Sequence, residues 1–307
     1  MSERGLRRIA LVGFGEAGSI LGADLAASGR DVVTYDILLD VPASRALMLE
    51  KAGRARVATA DSLSAAIEGA DLVISAVTAS SSADVAASAG KTLRAGQVFL
   101  DINSCSPDTK RSNAVAVQSS GADYVEAAVM APVPPQRLQV PMLLGGSRAE
   151  ELVPALQALG LNVSFIATGI GVASAVKMCR SVVIKGLEAL AVESLLAARR
   201  FGAEAEVLAS LQGTFPQMGW QEKLPDYLIS RVAEHGRRRA AEMREVAHTL
   251  ESVGVEPTMA RATAVRHDAL IDAMAARDIA YPHGQPFSWR WLADALKDDA
   301  AKLLQQG

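Results

Sequence analysis

Through the first half of the chain, short unbroken apolar runs alternate with Ala-rich segments of helical spacing. The runs cover residues 8–12, 31–35, 71–77, 97–101, 123–129, 142–144 and 161–166. Strands that are apolar at nearly every position are buried on both faces, so runs of this kind separated by helices predict a parallel sheet with helices on both sides. After the first run, Ala17, Ile20, Leu21 and Leu25 follow steps of three, one and four, which is helical spacing. The pattern changes at Gly169. Residues 172–200 contain no Pro, one Gly (Gly186) and much Ala, Leu, Glu, Met and Lys, and so predict one long helix. Beyond it strand signals stop, and residues 203–211, 228–253, 257–276 and 291–304 read as helices. The second of these carries an apolar stripe through Ile229, Val232, Met243, Val246, Leu250 and Val253. The expected architecture is a doubly wound parallel α/β sheet in residues 1–168 and an all-α domain in residues 169–307, joined by the long helix.

Composition narrows the function classes. The 307 residues suit two domains of ordinary size, and 50% hydrophobic content supports a large core, while only 4% aromatics favours closely packed helices over aromatic-rich binding sheets. Net charge is -3 with both signs scattered, so no nucleic-acid partner is expected. No apolar run approaches a membrane span, and the N-terminus leads into a Gly-rich turn without a signal-peptide pattern, so no membrane partner and a cytoplasmic location are expected. Cys105 and Cys179 lack a C-x-x-C spacing or a set of His partners; they read as incidental thiols, with no metal site indicated.

The first apolar run ends in Gly13-Phe14-Gly15-Glu16-Ala17-Gly18 and leads into a helix. Strand, G-x-G-x-x-G and helix in that order form the dinucleotide-binding context: a tight turn, close backbone approach to a pyrophosphate, and helix packed on strand. This makes the first domain Rossmann-type. Asp36 ends the second run, 18 residues beyond Gly18. A carboxylate there accepts the adenosine ribose hydroxyls and repels a 2′-phosphate, so NAD is favoured over NADP; a plain loop Asp is the alternative. Glu16 is an awkward neighbour for a pyrophosphate and should point away from it. Val77, Thr78, Asn103 and Ser104 fall at carboxyl ends of strands, where ligands lie in such sheets, and are candidates for the nicotinamide side. The loop 130–141 holds four of the chain's 12 prolines and is either a connection or part of a pocket wall.

On the long helix, Lys177, Ser181, Ile184 and Glu188 follow steps of four, three and four and so share a face. Three polar groups beside one aliphatic group suit a site, or a partly exposed helix edge. His235, Arg239 and Glu242 flank the later apolar stripe at steps of four and three. They form a solvated face, or else His235 or Arg239 meets an anionic substrate group. The tail has two of the three Trp residues and is expected at a subunit interface.

The three-glycine turn, the acid after the second strand, and Gly169-x-Gly171 six residues before a helical Lys177 resemble the β-hydroxyacid dehydrogenases. That superfamily includes 3-hydroxyisobutyrate and 6-phosphogluconate dehydrogenases. The chain looks most like a branch whose C-terminal domain has no assigned role, and the resemblance covers nearly its whole length. It implies that Lys177 takes the substrate hydroxyl proton while hydride leaves the same carbon for nicotinamide C4. A Lys with an ordinary pKa of about 10.4 needs burial or a nearby cation to act near neutrality. Arg180 and Lys185 lie on the same helix, Lys185 only loosely on the Lys177 face. The cofactor would be held by Gly13, Phe14, Gly15, Glu16, Ala17, Gly18, Asp36, Val77, Thr78 and Asn103. The substrate would meet Asn103, Ser104, Met130, Ala131, Ser181, Lys185, His235 and Arg239.

Three departures from the family pattern bear on the substrate. Ser181 stands where Asn is usual. In the segment matching D-A-P-V-S-G-G, here Glu126-Ala127-Ala128-Val129-Met130-Ala131-Pro132, Met130 replaces the Ser that holds a carboxylate. The family's C-terminal Lys-Asp-Leu falls on Ala241-Glu242-Met243, with Arg239 nearby to substitute for the missing Lys. The same hydride chemistry on a bulkier or less polar hydroxy acid-like molecule is implied, in a homodimer or higher homo-oligomer. An imine reductase, or an oxidation coupled to decarboxylation or isomerisation, is the alternative within redox chemistry, although related imine reductases often replace the Lys. A nucleotide-binding sensor without turnover is the alternative outside it.

Overall fold

The computed structural model describes residues 5–297. The chain divides into two compact units, Met1–Lys177 and Met178–Gly307.

In the first unit the elements follow as β1 (Arg8–Val12), α1 (Glu16–Ala27), β2 (Asp31–Tyr35), α2 (Pro42–Ala55), β3 (Ala58–Thr59), α3 (Leu63–Ile67), β4 (Leu72–Ser75), α4 (Ser82–Gly90), β5 (Val98–Asp101), α5 (Pro107–Gln118), β6 (Asp123–Val129), α6 (Val133–Gln136), β7 (Met142–Gly145), α7 (Ala149–Gln157) and β8 (Val163–Ala167). Among the described residues they build one eight-stranded sheet in the order β3-β2-β1-β4-β5-β6-β7-β8. Successive residues feed opposite cores: Ile9, Leu11, Leu72, Ile74, Leu100 and Val125 on one face, Ala10, Val12, Val73, Phe99 and Tyr124 on the other. This double burial is why the strands are apolar throughout rather than at alternate positions.

Three features depart from expectation. β7 runs antiparallel to β6, so the sheet is mostly rather than wholly parallel. The Pro-rich stretch is not an open loop but α6 followed by a 3₁₀ turn (Arg137–Gln139), which doubles the chain back beside β6 instead of carrying it across the sheet. β3 has two exposed residues, Ala58 and Thr59, and so leaves no apolar run to read.

α8 (Val172–Phe201) is one helix of 30 residues, and the division between units falls inside it. The second unit continues with α9 (Glu204–Thr214), α10 (Leu224–Glu251), α11 (Thr258–Ala275) and α12 (Trp289–Ala295). The helix expected over 291–304 thus starts earlier and ends at Ala295, and residues 298–304 of that expectation lie outside the described residues. The stripe on α10 is buried through Val246, but Val253 lies past the helix end and is exposed. In the tail, Trp289 fills its own unit's core with Leu195, Ile229 and Leu270, whereas Trp291 is exposed. No helix among the described residues is long and apolar enough to cross a membrane.

This unit has two apolar cores. One gathers Met178, Ala240, Met243, Val246, Ala260 and Ala264; the other gathers Val192, Leu195, Ile229, Val232, Leu270 and Trp289. Along α8, α10 and α11 alike, polar residues separate the two: Ser181, Lys185 and Glu188, then Arg239, then His267.

Candidate functional site

β1 delivers the chain to the glycine turn. Gly13 has φ +91°, and a Cβ there would stand 2.5 Å from Ala76 O and 2.8 Å from Val77 Cγ1, so only glycine lets the turn close on the end of β4. Gly18 is buried beneath it, where a Cβ would meet Gly13 O. Gly15 caps α1 without a side-chain hydrogen bond and with open space beside it. A helix start left this way offers N–H groups and the positive end of its dipole, which is what receives a pyrophosphate. Glu16 is exposed, and Ala17 half-buried, in the same first turn.

Asp36 is half-buried beside this turn. Its Oδ2 accepts from Phe14 N at 2.6 Å and its Oδ1 from Leu38 N at 2.9 Å. An ionised carboxylate has about four acceptor positions, so about two remain for a vicinal diol. Lys51, which sequence reasoning missed, steadies the turn from α2. Its Nζ donates to Phe14 O at 2.7 Å and Gly15 O at 2.8 Å, and lies 5.7 Å from the Phe14 ring centroid. Nothing local marks Lys51, because its role arises only when α2 packs beside a turn 37 residues earlier.

At the strand ends, Val77 N donates to Asn103 Oδ1 at 2.7 Å, and Asn103 Nδ2 donates to Ser75 Oγ at 2.9 Å and Ser82 Oγ at 3.2 Å. Asn103 is buried with both amide protons engaged, so it shapes the ends of β4 and β5 more than it offers donors to a ligand. Thr78 is exposed and Ser104 half-buried. Behind Asn103 lies a second missed group. Asp101 Oδ1 accepts from Lys110 Nζ at 2.7 Å and Asn103 N at 3.0 Å; its Oδ2 accepts from Tyr124 Oη at 2.7 Å and Asn113 Nδ2 at 3.1 Å. Burial alone would push the Asp101 carboxyl up, but the Lys110 charge and these hydrogen bonds outweigh it and hold it below the usual range. Burial, then the Asp101 charge, push the Tyr124 phenol up.

Beyond β6, Met130 and Ala131 are half-buried, and Met130 N donates to Pro141 O at 2.9 Å. Lys177 is half-buried in the second turn of α8.

In the second unit Lys185 is buried with Ser181 and Glu188 on one face, at steps of four and three, whereas Ile184 is only half-buried. Its Nζ meets Glu242 Oε2 at 2.7 Å and donates to Ser181 Oγ at 3.5 Å. Burial holds the Lys185 ammonium below its ordinary value, although Glu242 opposes this. Arg239, expected as an anion binder or as a stand-in for a missing Lys, is forked onto Glu188, with Nε donating to Oε2 at 2.7 Å and a second, shorter bond from Nη2 to Oε1. Burial pushes the Glu188 carboxyl up against the pull of Arg239. With its Nε/Nη2 edge occupied by a carboxylate of its own unit, Arg239 has much of its charge already matched. His235 does not keep helical step with Arg239: its φ of -129° and ψ of 15° break α10 there, and its Nε2 stands 3.3 Å from Glu234 Oε2. His267, also missed, is fully buried with no side-chain hydrogen-bond partner for either ring nitrogen, 3.9 Å from Glu188. Burial, then the Arg239 and Lys185 charges, lower its pKa to about 4.

Residues 8–169, more than half of the chain, match the NAD binding domain of 6-phosphogluconate dehydrogenase. Residues 198–270 match a domain of unknown function (DUF1932). Among solved structures, a conserved hypothetical protein from Sinorhizobium meliloti 1021 is 38% identical, with 95% of this chain and 96% of that one covered and a TM-score of 0.74. Conserved protein MTH1747, of unknown function and described as structurally similar to 3-hydroxyacid dehydrogenases, is 32% identical, with 85% and 97% covered and a TM-score of 0.67. The fold is also that of Mycobacterium tuberculosis 3-hydroxyisobutyrate dehydrogenase, at 17% identity, 95% and 99% coverage and a TM-score of 0.72.

Proposed function

Since the chain belongs to the family whose nucleotide domain is the NAD binding domain of 6-phosphogluconate dehydrogenase, we propose that it is an NAD-dependent oxidoreductase acting on a β-hydroxy acid-like alcohol, with Lys177 as general acid and base. The observation that carries this reading is the α1 start, uncapped by any side chain, with the Asp36 carboxylate fixed beside it. Gly13, Phe14, Gly15, Ala17 and Gly18 would hold the pyrophosphate and Asp36 the adenosine ribose, while Val77, Thr78 and Asn103 would border the nicotinamide. Asp36 would repel a 2′-phosphate. Arg45, on the helix that follows, donates instead to Leu39 O and Asp61, which supports NAD over NADP.

A nicotinamide bordered by Val77, Thr78 and Asn103 would supply the acceptor for the hydride leaving the carbinol carbon. Lys177 takes the hydroxyl proton as the carbonyl forms, and returns it in the reverse direction. Since Met130 brings no hydroxyl, Ser104, Met130 and Ala131 would border a substrate less dependent on carboxylate recognition. The test is Lys177→Ala against a panel of β-hydroxy acids. Turnover should fall at least about a hundredfold, the scale of general acid–base catalysis, with NADH affinity retained. Unchanged turnover would remove Lys177 from the mechanism.

A further inference from the structure

Glu126 is fully buried in β6, in register with Asp101 of β5 and Gly145 of β7. The nucleotide site makes no use of it. A carboxylate in such a place is costly unless its charge and lone pairs are met, and the start of α8 meets them. Oε1 accepts from Gly171 N at 2.6 Å and Ala173 N at 3.2 Å, and Oε2 accepts from Ser174 N at 3.3 Å. The first N–H groups of any α-helix lack intrahelical partners, and usually the residue just before the helix supplies the oxygen. Here that residue is Gly171, which has no side chain. Glu126, 45 residues earlier in sequence, supplies the cap instead. Its negative charge also lies at the positive end of a 30-residue helix. Gly145 makes the room, for a Cβ there would stand 2.5 Å from Glu126 Oε1. The Ser174 hydroxyl, donating to Gly171 O at 3.1 Å, closes the same turn.

Both ends of this tie bear on the proposed reaction. β6 leads into Met130 and Ala131, and α8 carries Lys177 four residues after Ala173, about 6 Å along the axis. A cap on the helix's own chain would move with the helix; this one fixes the helix to the sheet. We propose that Glu126 is a positioning residue that sets where Lys177 projects from the first unit, relative to the strand leading to Met130. This rests on the acid–base reading of Lys177. If the first turn of α8 slipped by one residue, Lys177 would move about 1.5 Å along and 100° around the axis, and misplacements of about 1 Å cost on the order of a hundredfold in rate.

The test compares full-length wild type with Glu126→Gln and Glu126→Met. Gln keeps the shape and one acceptor oxygen but turns its NH₂ toward N–H donors; Met keeps much of the volume and no acceptor. Amide hydrogen exchange over residues 169–178, NADH titration and steady-state kcat are measured on each, with Lys177→Ala in parallel. Exchange of this segment should quicken about tenfold in the Gln variant and more in Met. Turnover should fall in the same order, by about tenfold and about a hundredfold, while NADH affinity stays within about threefold. Exchange unchanged from wild type, or faster exchange with kcat unchanged, overturns the positioning role; the near-isosteric Gln variant decides this even where Met does not fold. Retained turnover in Lys177→Ala overturns the acid–base reading. Lost turnover there, with normal kcat in the Glu126 variants, overturns the positioning role alone.

Discussion

Each unit buries charge, and the two do it differently. Around Asp101 in the first unit, one carboxylate is shared among Lys110, Tyr124, Asn113 and the Asn103 backbone, so that each of its roughly four acceptor positions is filled. In the second unit the charges are matched pairwise, Lys185 with Glu242 and Arg239 with Glu188, and the ring nitrogens of His267 beside them have no side-chain hydrogen-bond partner. A shared hub fixes several groups at once, including the Asn103 amide that holds Val77 at the nucleotide side. A layer of pairs between two apolar cores specifies which faces of α8, α10 and α11 meet, and there each carboxylate has its own principal cation although the pairs also feel one another's charge.

The largest expected effect follows from breaking the hub. Asp101→Leu leaves Lys110 uncompensated and should cost about 4–5 kcal/mol in urea denaturation. Adding Lys110→Met should not restore stability, because Tyr124 Oη and Asn113 Nδ2 still lose their acceptor. In the layer, Arg239→Met should cost about 3 kcal/mol, but combining it with Glu188→Leu should return stability to within about 1 kcal/mol of wild type, since an apolar pair replaces a buried ion pair at little cost. If the two double variants behaved alike, the distinction between hub and layer would collapse.

A pH titration sharpens the same contrast. His267 goes from an ordinary pKa of 6.5 to about 4 on folding. The unfolded chain therefore binds the proton first, and stability from this group is complete above the unfolded value and is lost as pH falls through the window from 6.5 to 4. The loss amounts to about 3 kcal/mol. His267→Leu should flatten that part of the stability profile without lowering stability at neutral pH. An identical slope in wild type and variant would show that His267 titrates normally. The smallest effect is Lys51→Met, which gives up two hydrogen bonds to the glycine turn and should weaken NADH binding about fivefold by titration.

What was legible in the sequence was what is local. β1, β2 and β6 announce their bounds through residues buried on both faces, and the three glycines and Asp36 lie within one strand–turn–helix–strand unit. The rest depended on partners distant in sequence. Arg239 reads as an available cation until Glu188, 51 residues away, is brought against it. Lys51 and Lys110 look like ordinary surface lysines in polar helices. Glu126 gave one hint, as an acid in the middle of the apolar run DYVEAAV, but a buried cap and a solvated strand residue break such a run in the same way. Hydrophobic period shows which face of an element is buried, not which buried charge will find a partner there.

Titration of NADH and NADPH against wild type and Asp36→Ala, followed by fluorescence, tests the central claim most directly. Tighter binding of NADH than NADPH, with the preference lost and NADH weakened at least about tenfold in Asp36→Ala, is the predicted result. Binding of neither nucleotide to wild type, or equal binding of both with Asp36→Ala indifferent, would contradict it.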